Sequence, residues 1–373
     1  MDGPWLRSLR RLRHMDLPIL FFALALSIFG FFMIRSAGAG EEAWHLRQLR
    51  FYGLGIAACI PLILIPYPRI LKWGIPLFCA GLFLLLLVLE FGTLRNFSRR
   101  WFIFGGVNIQ PSEIMKLGVV IYLARVLRHV PRVNKSSVWM VPLGFAFLPV
   151  LLILKQPDLG TSLIFVPVAL GMVYLAGAPG KHVLLVILAL GLLAIFAYHF
   201  VLRDYQRERI WSTYRQSDLT AAQRAGSGFQ LTRSLAMVAN GGLLGQGYNA
   251  GPMTQSGGLP EQHNDFIFAP VAEELGFLGA AVLLSLCAGL FFSILRVAAT
   301  TRDPEGRLLC AGVAAFYGVQ SLVEISVTLG LAPTTGMPMP LVSYGGSSYL
   351  ASLLSLALVQ NVVVHRALVQ SHR

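Results

Sequence analysis

The chain has 373 residues, of which 55% are hydrophobic and 13% charged, and its mean hydropathy is +0.67. A soluble domain carries about 25% charged residues, so this composition excludes a soluble enzyme and indicates an all-α polytopic membrane protein. The formal net charge of +13 is then read as a signal of topology and of contact with anionic lipid, with no nucleic acid as partner.

A membrane span needs about 20 mostly apolar residues, and about ten segments qualify: 17–35, 51–66, 71–91, 112–129, 138–154, 160–178, 182–202, 266–296, 307–331 and 347–368. They form a single membrane domain over residues 1–373. No small-residue cleavage site follows the first segment, which reads as a span and not as a signal peptide. The second is short and ends in Pro61 and Pro66, and the fourth carries Glu113, Lys116 and Arg125. Between the seventh and eighth spans lies a large polar, Arg-rich and Gly-rich loop, about residues 203–265. Within it, 229–245 alternates apolar and small residues and predicts a short or re-entrant helix. Cys59, Cys79, Cys287 and Cys310 all lie in or beside apolar segments and read as small core residues.

Lys and Arg concentrate on one set of alternate loops and on both termini. Sixteen of the thirty lie there, with only Asp2, Asp16, Asp303 and Glu305 as acids. The positive-inside rule places that face, and both termini, in the cytoplasm. The remaining basic residues, including Arg47, Arg50, Arg99, Arg100, Lys155 and Arg209, exceed what topology requires. They snorkel at helix ends, or they form an outer-face site for an anionic headgroup such as a pyrophosphate.

Four polar clusters interrupt the apolar pattern. In Gln110-Pro-Ser-Glu-Ile-Met-Lys116, Pro111 suits a first helical turn, and Glu113 and Lys116 fall three apart on one face. They form an ion pair between helices or the wall of a cavity. In Lys155-Gln-Pro-Asp-Leu-Gly-Thr161, Asp158 caps the following helix, or it joins Lys155 at a headgroup or metal ion. Leu259-Pro-Glu-Gln-His-Asn-Asp-Phe266 puts Glu261 and Asp265 at the lip of a span, four apart and on one face if helical. A half-buried carboxylate there is suited to general-base chemistry, while Asn264 or Asp265 alternatively opens the next helix as its cap. Glu273 and Glu274 follow on the same helix. The stretch 333–348 holds three prolines and three glycines between Pro333 and Gly346. Its Ser343, Tyr344, Ser347 and Ser348 indicate irregular backbone that lines a cavity or is buried in protein, with the amides of Gly345 and Gly346 near an anion. No nucleotide-binding loop, dinucleotide fingerprint or nucleophile elbow is present.

In their order along the whole chain, Gln-Pro-Ser-Glu-x-x-Lys at 110–116, Pro-Asp-x-Gly-Thr at 157–161, Leu-Pro-Glu-x-His-x-Asp-Phe-Ile-Phe at 259–268 and Ser-Tyr-Gly-Gly-Ser-Ser at 343–348 resemble the SEDS family (shape, elongation, division and sporulation; the RodA/FtsW group). The resemblance implies a peptidoglycan glycosyltransferase in the cytoplasmic membrane of a bacterium. It would polymerise lipid II onto a lipid-linked glycan, with a class B penicillin-binding protein, a single-span transpeptidase, as partner. It also implies that Asp265 is required for activity and that Glu113, Lys116 and Asp158 are functional polar positions. Tyr205-Gln206 with Arg209, and the loop length between Gly247 and Leu259, look more like the elongation (RodA) branch than the division branch. The chain departs from the family in having Asn264 where Thr is common, and Glu324 where the signature usually has Asn.

On this reading Asp265 takes the proton from an incoming sugar hydroxyl. Glu261 tunes Asp265 or shares a divalent cation (Mg or Mn) with it, and Lys155, Arg209, Ser343 and Ser347 support the substrate. A lipid-linked sugar flippase is the alternative, since intramembrane charge and broken helices suit transporters too. A scaffold that positions the transpeptidase is a third reading.

Overall fold

The N-terminal helix α1 (Leu17–Ala37) opens at Asp16, whose side chain accepts the Ile19 amide, with Pro18 in its first turn. The computed structural model describes residues 12–38, 44–95, 98–104, 107–132, 137–200, 202, 204–215, 226 and 228–371. Helices follow at α2 (Trp44–Leu64), α3 (Tyr67–Lys72), α4 (Gly74–Phe91), α5 (Pro111–Val126), α6 (Ser137–Ala146), α7 (Leu148–Lys155), α8 (Leu159–Leu175) and α9 (Gly180–Phe200). The extended polar region holds α10 (Asp204–Tyr214), α11 (Phe229–Gly241) and α12 (Pro252–Gln255). The chain ends with α13 (Phe268–Thr300), α14 (Pro304–Thr328) and α15 (Gly346–Ser371).

Each of the ten expected segments is helical, with corrections. The second helix begins at Trp44, well before residue 51, because Arg47 and Arg50 ride on its exposed side; Pro61 sits inside its last turns. The segment at 71–91 breaks at Trp73, and that at 138–154 breaks at Phe147. By length and composition, seven helices among the described residues can cross a membrane; α2, α5 and α8 fall short. The helix expected within 229–245 is α11, which packs on α13.

Strands are a further difference. Between α4 and α5 the chain forms a small antiparallel sheet in the order β1 (Thr93–Arg95), β2 (Ser98–Phe104) and β3 (Val107–Ile109). The other regular elements among the described residues are helices.

The helices α14 and α15 are mostly buried, whereas α9 is almost wholly exposed and apolar. Exposed Leu184, Leu188, Leu192 and Phe196 suit a lipid-facing surface. Several of the basic loops and helix ends meet at one end of the bundle. There Glu305 pairs with Arg125 at 2.7 Å and with Arg128, Asp16 pairs with Arg296 at 2.7 Å, and the Tyr67 hydroxyl donates to Asp303 at 3.0 Å.

At the other end, α13 breaks at Gly276 (φ 65°, ψ −164°). The break frees carbonyls that a straight helix would use internally. Glu273 O accepts the Gln246 amide and Glu274 O the Gly247 amide, while Phe277 and Leu278 donate to Gly242 and Leu243. A Cβ at Gly276 would collide with the amide of Gly245, and φ near +65° with extended ψ is open to glycine alone. Gly276→Ala is therefore expected to cost about 1–3 kcal/mol, seen as a lower thermal unfolding midpoint in detergent.

Candidate functional site

Pro111 fills the first turn of α5, where its missing amide costs nothing, and Glu113 lies in the same turn. The Lys116 Nζ–Glu113 Oε1 distance is 2.7 Å, with both side chains 3% exposed. Lys116 also donates to Gln320 Oε1 of α14 (3.0 Å) and lies over the Phe316 ring. Gln320 Nε2 in turn donates to Pro338 O (2.5 Å). Glu113 and Lys116 are thus both an ion pair and part of a polar track across three segments. Glu113, Lys116 and Ser355 line a small cavity, and Glu113 Oε2 has no hydrogen-bond partner among the described residues.

Asp158 does cap α8, accepting the Thr161 amide (3.1 Å) and hydroxyl (3.0 Å). It also faces Arg100 at 3.5 Å and Gln110 Nε2 at 3.5 Å. Burial pushes its carboxyl above the ordinary range, against the pull of Arg100 and Thr161, and the Glu113 charge adds to the rise. Arg100 comes from β2 and donates to the carbonyls of Gln156 (2.8 Å) and Pro157, so the sheet clamps the break between α7 and α8. Lys155 is exposed and takes part in no ion pair among the described residues. Arg209 lies in α10, but its side chain is outside the described residues.

Residues 259–267 form consecutive turns and not a helix. Glu261 (φ 56°) is exposed, and its carbonyl accepts the amides of both Asn264 and Asp265 at 3.0 Å. The shared helical face of Glu261 and Asp265 is therefore absent. The cap position is also not where the sequence suggests: α13 starts at Phe268, and its cap position is Ile267, whose side chain makes no capping bond. The extra turn at Glu261 shifts the helix start past both Asn264 and Asp265.

Three sides of this turn are tied down. Gln262 is buried and donates to Ala37 O (2.9 Å) and Thr254 O (2.8 Å). His263 stacks on Trp44 with ring centroids 4.6 Å apart, and its carbonyl accepts the Tyr344 amide at 2.9 Å. Phe266 and Ile267 are buried. Asp265 is half-buried, with its Oδ2 3.4 Å from the position a Cβ on Gly336 would take. Gly336 (φ 68°) thus leaves room for the carboxylate. Behind the turn, Glu273 accepts the amides of Met253 and Thr254 and the Thr254 hydroxyl. Glu274 accepts Ser36 Oγ, Gln255 Nε2 and the Asn249 amide. Both are fully buried anchors for the loop.

The segment 331–345, without helix, links these clusters. Pro338 receives Gln320, Gly336 adjoins Asp265, Tyr344 meets His263 and Trp44, and Thr335 packs on Gly160 beside Asp158. Just beyond it, Ser347 donates to Asn108 O (2.6 Å) and accepts the Gln110 amide (3.1 Å). Ser343 accepts the Met339 amide (2.8 Å) and shapes the segment from within. The Gly345 amide donates to Gln48 Oε1 (3.3 Å), and the Phe51 ring fills the space that a Cβ on Gly346 would need. Gln320, Gln262 and Trp44 are contributors to this arrangement that sequence reasoning misses, as is the clamp that Arg100 forms. A lone amide in an apolar helix, as at Gln320, is the signal that was available.

A family model described as Cell cycle protein (FTSW_RODA_SPOVE) matches residues 16–368. The chain belongs to this family. The probable peptidoglycan glycosyltransferase FtsW of Geobacter metallireducens is 35% identical over 373 residues, covering 95% of this chain and 96% of the relative. Peptidoglycan glycosyltransferase MrdB of Escherichia coli K12 is 31% identical over 357 residues, covering 95% and 94%. Among solved structures, a chain from a peptidoglycan synthase complex, described as coordinating polymerization and crosslinking, has a TM-score of 0.83 at 32% identity, covering 94% of this chain and 98% of that one. The rod shape determining protein RodA of Thermus thermophilus has a TM-score of 0.72 at 30% identity, covering 94% and 97%. Membership of the FtsW/RodA/SpoVE family makes the chain an integral membrane protein of bacterial type. The four motif clusters all fall within the matched residues.

Proposed function

We propose that this chain polymerises lipid II into glycan strands at the outer face of the cytoplasmic membrane, both termini being cytoplasmic. It is a peptidoglycan glycosyltransferase by family and by the names of its relatives. The observation that carries the site is Asp265, half-buried in a turn held by Gln262, His263 and Phe266 and facing Gly336. A fixed carboxylate at a span entrance is suited to take a proton from an attacking hydroxyl.

The reaction follows from that role. The 4-hydroxyl of the incoming lipid II sugar attacks the anomeric carbon of the lipid-linked glycan. Asp265 receives the hydroxyl proton, the bond to the lipid pyrophosphate breaks, and the anomeric configuration inverts. Outer-face basic residues stabilise the departing pyrophosphate. Among the described residues no group of three or more His, Cys, Asp or Glu is placed to hold a metal ion. Mg²⁺ is often held by one or two carboxylates together with substrate phosphates; Glu261 and Asp265 would be its protein ligands, with the pyrophosphate completing the shell. A cation there would neutralise charge on the leaving group.

A class B penicillin-binding protein is the partner this reading supplies, since the solved neighbour belongs to a complex that couples polymerization to crosslinking. Wall elongation is the preferred setting, on the Tyr205-Gln206 and Arg209 pattern and the 247–259 loop length. Curated relatives of both kinds match, so depletion in cells decides: elongation predicts round cells, division predicts filaments.

The direct test is purified protein given lipid II in detergent, with and without chelator and partner. A polymerase makes long glycan with no membrane to cross. A flippase makes none, and that outcome would replace this reading.

A further inference from the structure

Glu324 is the one acid beyond the first turn of α14. Its side chain is 1% exposed. A buried carboxylate needs a partner to offset its desolvation, and here the partner is a helix terminus. Glu324 Oε1 accepts the amide of Phe268, the first residue of α13, at 3.4 Å. Its other oxygen, Oε2, has no hydrogen-bond partner among the described residues.

The Phe268 amide is one of the orphan donors at any helix start. At most helices a Ser, Thr, Asp or Asn at the cap position satisfies one of these donors locally. Ile267 occupies that position and has nothing to offer. The acceptor comes instead from a neighbouring helix. On the same helix, Val327 packs with Phe266 and Ala269, and Val323 lies against this cluster. So α14 grips the chain on both sides of the helix start, apolar contacts setting the distance and the Glu324–Phe268 bond setting the register. Asp265 is three residues before Phe268.

We propose that Glu324 is a positioning residue for Asp265: by capping α13 from α14, it fixes the turn that carries the Asp265 carboxylate. This rests on the assignment of Asp265 as general base, and it adds a residue that acts through the backbone without touching substrate. Charge is secondary in this role; what matters is an acceptor at the right depth.

Glu324→Gln keeps an acceptor oxygen of the same reach, whereas Glu324→Leu removes it and keeps apolar bulk. Lipid II polymerisation is measured against lipid II concentration, beside hydrogen–deuterium exchange of the peptide covering 259–272. The Gln protein should polymerise within about twofold of the parent. The Leu protein should lose roughly 10–100-fold in kcat at unchanged KM, the scale of a misplaced catalytic group, with faster exchange in 259–272. Should the Leu protein not purify as a single species, Glu324→Met removes the same acceptor with an unbranched chain. Parent-like kcat in the Leu or Met protein overturns the proposal. Equal loss in the Gln and Leu proteins also overturns it, because charge and not capping would then be required. An Asp265→Asn protein serves as the control. If it keeps the parent rate, the general-base assignment fails, while the exchange measurement still reports separately whether Glu324 caps α13.

Discussion

Replacing Asp265 with Asn is expected to lower the rate of lipid II polymerisation by about 10²–10⁴-fold, the usual range for loss of a positioned general base. Asn keeps the size of the side chain and cannot accept the proton. With cation in excess the effect should fall on kcat, because the proton that Asp265 accepts moves only in the transition state. The fold should be preserved. Gln262, His263, Phe266 and the Glu261 carbonyl hold the turn through contacts that do not use the Asp265 side chain. Thermal unfolding in detergent checks this separately from the polymerisation assay. A well-folded Asn protein with the parent rate ends the assignment.

The second large effect concerns the buried pair of Glu113 and Lys116. Lys116→Met removes one partner and leaves the Glu113 carboxylate buried opposite an apolar chain, with Gln320 Oε1 also losing its donor. Breaking a buried pair on one side typically costs about 3–5 kcal/mol, while replacing both members by apolar residues is often neutral or stabilising by about 1–4 kcal/mol. Glu113→Leu combined with Lys116→Met should therefore recover the thermal midpoint that Lys116→Met loses. Polymerisation separates the two readings of the cluster. If the pair serves only to join helices, the double variant regains activity with stability; if it forms a polar wall that substrate requires, the double variant is stable and inactive. We expect the second outcome, because the track from Lys116 through Gln320 ends on Pro338, two residues from the Gly336 that adjoins Asp265.

Much of this architecture is legible in the sequence where the determinants are local. Hydropathy locates each long helix, Pro111 and Pro304 mark helix starts, and Asp16 and Asp158 cap as residue type and position suggest. The four polar clusters stand out because charge and proline are rare in an apolar chain. The sheet at 93–109 is not legible, since two of its strands are only three residues long and gain their identity from pairing. The clamp of Arg100 on the 156–157 carbonyls joins residues more than fifty positions apart and leaves no spacing pattern. The expected cap at Asn264 or Asp265 fails for a conformational reason: Glu261 adopts a positive φ, and the turn it starts runs on to Ile267. The buried roles of Glu273 and Glu274 depend on amides of a loop about twenty to thirty residues earlier, and a helical wheel does not reveal them.

The segment 331–345 also bears on how this protein can change over time. Gln320, Asp265, His263 and Gly160 each abut it at a different point. A substitution tolerated at one of these positions alters the ground on which the others are judged, because residues that share a contact do not contribute independently. Drift in this region is therefore constrained to move in concert. Residues far apart in the chain form one heritable unit, whereas the lipid-facing side of α9 is free to vary residue by residue so long as it stays apolar.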